Sequence, residues 1–214
     1  MPRQRLHPVE DLLDVAEQLV TSGDPAGLTL RALAASAGAS NGTIYHAFGS
    51  REELLARLWL RASERLGTLL VAAAGSSAAG AEAVVAAALA PVTFTREHPA
   101  SAQLFFAQRS DQLFTADLPV ALTDALAADR RRFTGLLTTL ARGVWDRRDR
   151  YAVEAVAACV VDVPGGILRR ALIERRAVDA ASERRIEAAV RAILAEPLDP
   201  PTHRPSHRSR STHR

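Results

Sequence analysis

Side chains able to do covalent chemistry are scarce in this sequence. Cys159 is the only cysteine. It lies in an apolar stretch with no histidine near it, so the expected role is a buried structural thiol rather than a nucleophile. A lone cysteine also excludes an intramolecular disulfide and suits a reducing cytoplasm. His203, His207 and His213 fall in a tail of Pro, Ser, Arg and Thr, spaced too loosely for a metal site. The sequence has no glycine-rich phosphate loop, no paired-carboxylate motif and no serine elbow. An enzyme is therefore not expected, and neither is a metal or a cofactor. What the residues can build is a shape. Ala34, Gly38 and Ile44 supply a small residue, a residue tolerant of positive φ and an apolar plug. At this spacing they let two short helices cross steeply around a tight turn, the helix-turn-helix of DNA readers.

That shape needs two well-marked helices, and the flanking residues mark them. Thr29 is a good N-cap for a helix over 30–37, with Leu30, Leu33 and Ala34 inward, and Gly38 stops it. Ser40 can cap a second helix over 41–47, which Phe48-Gly49 ends. Ser50 with Glu53 forms a capping box for a long helix reaching about Ala74. Its apolar stripe is Leu54, Leu55, Leu58, Ala62, Leu66, Leu69 and Leu70. Upstream, Val9, Leu12, Leu13, Ala16, Leu19 and Val20 follow helical spacing after Pro8, and form a brace. Met1 to His7 is a short arm carrying Arg3 and Arg5, read either as a loose terminus or as a contact to DNA.

After a compositional joint at 75–80 (GSSAAG), helices are expected over 82–98 with Pro91 inside, 99–109, 119–143, 151–176 and from Asp179 or Ser182 to near Glu196. Residues 110–117 read as irregular, and Pro164-Gly165-Gly166 should bend the fourth of these helices. The last two helices are apolar over more than one stripe, which calls for burial on two sides, and a partner subunit can supply the second. The expected fold is all-α with about nine helices. Its expected parts are a helix-turn-helix DNA-binding domain at 1–49, a linking helix at 50–74, an effector-binding and dimerisation domain at 75–196, and a disordered tail at 197–214. The longest apolar run, Ala83 to Val92, is too short to span a bilayer, so no membrane association is expected.

Charge sharpens the DNA reading. All 27 basic residues are arginine and the net charge is +3. Arg204, Arg208, Arg210 and Arg214 against Asp199 make the tail +3 by themselves, and the stretch 1–74 carries seven arginines against eight acids. DNA binding must therefore come from a local patch rather than from a basic domain.

The runs Thr29-Leu30-Arg31-Ala32-Leu33-Ala34, Ala37-Gly38-Ala39-Ser40, Gly42-Thr43-Ile44-Tyr45-His46-Ala47-Phe48 and Ser50-Arg51-Glu52-Glu53-Leu54-Leu55 resemble the tetracycline-repressor (TetR) family of bacterial transcription regulators. About 50 residues carry the resemblance, and the remainder shares only the layout. The resemblance implies that Asn41, Gly42 and Tyr45 face a major groove with Ser40 at its edge, and that Thr29, Thr43, His46 and Arg51 meet phosphates. Gly42, where other members use a side chain, and Ala47 depart from the pattern and weaken base readout. The family also implies a ligand cavity among the helices of 82–170, for which Phe94, Leu104, Phe105, Gln108, Phe133, Leu137, Trp145 and Cys159 are the candidate lining. The resulting expectation is a cytoplasmic, homodimeric, ligand-responsive, sequence-specific repressor on a near-palindromic double-stranded DNA operator. An unidentified small-molecule effector would act on it, and the protomers would pair through 151–176 and 180–195. The alternative is a small-molecule binding or interaction protein with weak or lost DNA binding.

Overall fold

The computed structural model describes residues 9–22, 28–107, 118–174 and 176–198. The N-terminal arm, the 110–117 segment and the arginine-bearing tail lie outside these. Among the described residues there are nine helices and no strand. They are α1 (Val9–Ser22), α2 (Leu30–Ala37), α3 (Asn41–Phe48), α4 (Arg51–Ser76), α5 (Ala81–Glu97), α6 (Pro99–Ala107), α7 (Val120–Trp145), α8 (Arg150–Ile173) and α9 (Ala180–Ala195).

The start and stop signals act as their chemistry dictates. Thr29 Oγ1 accepts from Ala32 N at 3.0 Å, Ser40 Oγ from Thr43 N at 3.1 Å and Ser50 Oγ from Glu53 N at 3.0 Å. Each satisfies one of the amides that a helix start leaves without a partner. Gly38 closes α2 with φ 62°. That is a left-handed conformation, which glycine adopts without steric cost. The Ser50 capping box is only half made: the Glu53 carboxylate turns instead to Arg57, at 2.7 and 3.0 Å. At the other end of the chain Asp179, not Ser182, is the cap of α9.

Two apolar cores result. The first gathers Leu12, Leu13, Ala16 and Val20 of α1, Leu30, Leu33 and Ala34 of α2, Ile44 and Phe48 of α3, and Leu54, Leu55 and Leu58 of α4. Leu104 of α6 is buried in this core too. The second gathers Ala62, Leu66 and Leu70 of α4 with the buried faces of α5, α7, α8 and α9. Helix α4 thus lends its first half to one core and its second half to the other. Polar contacts join the two regions: Arg65 Nη1 donates to Glu17 of α1 at 2.7 Å and to Ser101 Oγ of α6 at 2.8 Å. Arg61 pairs with Asp14 of α1 as well. The ends of the second region are tied by Arg191 of α9, which grips the Glu82 carboxylate of α5 with two nitrogens at 2.6 and 3.0 Å.

Helix α8 departs from expectation in one place. Its irregularity falls a turn before Pro164-Gly165-Gly166, as a π turn over Ala158–Asp162 in which Val163 N donates to Ala158 O, five residues back. The buried side chains explain it. Ala152, Val156, Val160, Pro164 and Leu168 are all buried and lie four residues apart. A strict four-residue spacing drifts about 40° per step around an α-helix of 3.6 residues per turn. One wide turn takes up an extra residue and swings the later positions back onto the same face. Helix α8 is also long and apolar enough to cross a bilayer by length and composition. Only 33% of its most apolar stretch is buried within the chain.

Candidate nucleic-acid interface and ligand cavity

Helix α3 has two unlike faces. Ile44 and Phe48, four apart and both 0% exposed, plug it into the core against α2 and α4. The opposite side presents Asn41, Gly42, Tyr45 and His46, all exposed or half-exposed as the helix turns. Asn41 and Tyr45 are also four apart, so their side chains lie one above the other on a single outward strip. Tyr45 keeps 58% of its surface in solvent, a large fraction for an aromatic side chain with no structural duty. Asn41 brings an amide that can pair with an adenine edge, and the tyrosine ring can lie on a thymine methyl or reach a phosphate.

The remaining predicted residues surround this strip with mixed roles. Ser40 is exposed, but its hydroxyl is committed to the start of α3, capping Thr43 N and hydrogen-bonding Thr43 Oγ1 at 2.9 Å. Thr29 is likewise an exposed cap, at the start of α2. Thr43 is half-buried between the exposed strip and the core. Arg51 Nε donates to Leu28 O at 2.6 Å and ties the start of α4 to the segment entering α2. Arg31, exposed on the first turn of α2 beside Thr29, escaped the sequence reading. Its signal was a cation one position inside a helix start. Three of the four acids of α1, Glu10, Asp14 and Glu17, lie around Arg61, and Glu17 also holds Arg65. Three of the eight acids of the stretch 1–74 are thereby paired at the junction with the second core.

That second region contains a cavity of about 810 Å³, bounded by α4, α5, α6, α7 and α8. Of the expected lining, Phe105 and Phe133 are there. Phe94, Leu137 and Cys159 are instead buried in the second core, and Leu104 in the first. Trp145 is half-buried against the second core away from the cavity, and Gln108 lies outside the described residues. Burial pushes the Cys159 thiol up to about 11. A raised value of this kind suits an inert core position. The wall includes groups that the sequence reading did not single out: Trp59, Ser63 and Leu66 of α4, Phe106 of α6, and Asp129, Arg132 and Leu136 of α7. One signal was available. Leu122, Leu126, Asp129, Phe133 and Leu136 follow three-and-four spacing, so Asp129 is a carboxylate in an otherwise apolar helical stripe.

Comparison with known proteins bears on both regions. Residues 12–58, which span α1 to the first third of α4, match the family model described as bacterial regulatory proteins, tetR family. An uncharacterised HTH-type transcriptional regulator of Mycobacterium tuberculosis strain H37Rv is 33% identical over 98 residues, 46% of this chain and 48% of that protein. The match spans about half the length of this relative. Two solved structures share the fold over most of both chains. The TetR family transcriptional regulator PfmR from Thermus thermophilus has a TM-score of 0.61 at 24% identity, over 88% of this chain and 96% of the other. A bacterial regulatory protein in the tetR family from Rhodococcus RHA1 has a TM-score of 0.62 at 18% identity, over 90% and 96%.

Proposed function

We propose that this chain, whose residues 12–58 match the model of the tetR family of bacterial regulatory proteins, is a homodimeric, ligand-responsive repressor of that family that binds a near-palindromic operator in the cytoplasm. Residues 1–49 form the reader, 50–74 the linking helix and 75–196 the effector and dimerisation region. The observation that carries this reading is the outward strip of α3, with Asn41 and Tyr45 exposed on a helix that Ile44 and Phe48 hold rigid. Two such helices, one per protomer, enter successive major grooves. Thr29, Thr43, His46 and Arg51 meet phosphates at the edges, joined by Arg31. The amides at the starts of α2 and α3 add a positive end that attracts phosphate without any net positive charge on the domain.

Helix α8 supports the dimer. Its central stretch is apolar, yet Val161 and Ile173 are exposed and Val153, Ala157 and Val163 only half-buried. Exposed apolar side chains of this kind on one helix suit a protein–protein contact. Paired with α9, it would make a four-helix interface across the two-fold axis.

Helix α4 gives the effector a route to the reader. Trp59, Ser63, Leu66 and Leu70 of α4 line the cavity, while Arg61 and Arg65 of the same helix hold α1. A ligand that favours one placement of α4 therefore biases the spacing of the two readers, provided it binds the two placements with different affinity.

A mobility-shift titration against the gene's own upstream DNA tests the proposal. Sequence-specific binding that weakens steeply as salt rises is the expected result. Binding indifferent to sequence, or none at moderate salt, would leave the rival reading of a small-molecule binding protein with lost DNA binding. The near-neutral charge of the stretch 1–74 favours that rival.

A further inference from the structure

Among the described residues, the cavity wall holds one buried charge. Asp129 is 7% exposed; its Oδ2 accepts from Ser63 Oγ at 2.6 Å and its Oδ1 from Arg132 Nη2 at 3.1 Å. A carboxylate can accept about four hydrogen bonds, so these two leave it capacity toward the cavity. Its counter-charge is poorly placed to hold it. The Arg132 side chain is 59% exposed, and the same nitrogen is shared with Glu64 at 3.1 Å. The arginine acts from the wet rim, where water and salt screen it, while the carboxylate fronts a largely apolar space where its field is stronger.

Aromatic rings surround that space. Trp59, Phe105, Phe106 and Phe133 all line it. Trp59 stacks on Phe105 with centroids 5.2 Å apart, and Phe105 meets Phe106 edge-to-face at 5.3 Å. The faces of aromatic rings carry negative potential and attract cations.

We propose that the ligand of this cavity is a lipophilic organic cation, an apolar body bearing one ammonium-type charge, which takes Arg132's place against Asp129 while its body packs on the four aromatic rings. The cavity volume of about 810 Å³ suits a molecule of drug-like size. An anion is the worse fit. Among the described residues the wall offers it Arg130 and Arg132, both exposed, and Arg132 is already shared between two carboxylates. An anion reaching past them would face the carboxylate itself. The inference rests on the reading of this cavity as the effector site.

The test uses the full-length protein without DNA and three chain-matched probes: octyltrimethylammonium, octanol and octanoate, each titrated calorimetrically below its micelle concentration. The cation should bind about tenfold more tightly than octanol, the size of a desolvated cation–aromatic and carboxylate contact, and octanoate most weakly. Asp129→Asn should bring the cation down to the level of octanol and leave octanol unchanged. Arg132→Gln, which removes the competing charge, should strengthen cation binding several-fold, a direction that misfolding cannot produce. Octanoate binding as tightly as the cation would overturn the proposal. So would a cation no tighter than octanol, no binding of any probe, or indifference of the cation to either substitution. Because no DNA is present, a protein that binds its operator but none of the probes loses this inference and keeps the regulatory reading. One that binds the cation but no DNA does the reverse.

Discussion

Adjacent residues of α3 should separate reading from folding. Tyr45 is 58% exposed and Ile44 is 0% exposed. Tyr45→Ala removes a ring that lies mostly in solvent, so stability should move by no more than about 0.5 kcal/mol. A major-groove contact is worth roughly 1–3 kcal/mol. The dimer loses two of them, and about 2–6 kcal/mol corresponds to a roughly 30-fold to 10⁴-fold weaker operator complex. Ile44→Ala does the opposite at the level of the fold. It opens a cavity where α3 plugs into α2 and α4, and should cost about 2–5 kcal/mol of stability. Thermal or urea unfolding and a mobility-shift titration on the same two preparations read both quantities. A Tyr45→Ala protein that binds operator as tightly as the parent removes Tyr45 from the interface. One that unfolds as readily as Ile44→Ala shows that the ring packs, and with it the assignment of the outward face fails.

Three further outcomes follow from the structure. Cys159 is buried, with its thiol pushed up to about 11. It should resist a thiol reagent under mildly alkaline conditions in the native protein and react promptly in denaturant; fast native labelling would contradict its burial. Asp149 caps α8 and accepts from Arg147 at 2.7 and 2.9 Å, which holds its carboxyl down to about 2 from an ordinary 3.8. A lowered folded value means that its stabilisation is present above pH 3.8 and is lost as the pH falls through about 2. Asp149→Asn should therefore flatten the acid limb of a melting-temperature profile between these limits, and an unchanged limb would remove the contribution. Ile173→Glu, placing a charge on exposed apolar surface of α8, should shift sedimentation toward the monomer while each protomer stays folded; an unaffected dimer would move the interface elsewhere.

Much of the reading head was legible because its determinants are local. Thr29, Ser40 and Ser50 cap amides three residues on, and Gly38 adopts its positive φ within its own turn, so sequence neighbours decide the outcome. The all-helical class and the order of the helices followed from apolar spacing for the same reason. The cavity was less legible because it depends on which faces of distant helices meet. Phe94, Leu137 and Cys159 are as apolar as any lining residue, but their helices turn them into the core, whereas Trp59 and Ser63 belong to a helix read only as a linker. Leu104 lies in the region assigned to the ligand yet packs beneath the DNA reader, because α6 lies across α1 and α4. Arg51 stands in the motif where a phosphate contact is expected, but the bond its Nε makes to a carbonyl 23 residues earlier in the chain could not be read from sequence.

The wide turn at Ala158–Asp162 has a consequence best put in terms of insertion and deletion. A π turn is what remains when one residue is added to an α-helix whose two ends must keep their partners. Removing one residue there, Val161 for instance, would restore a regular helix with Ala152 and Val156 before it and Leu168 and Ala171 after it still facing the core. The same deletion anywhere else in α8 would rotate everything beyond it by about 100° and expose that core. This helix should therefore tolerate a change of length at one place only. That place is also where Val160 and Val161 wall the cavity, so the cavity could change shape in a single genetic step without loss of the fold.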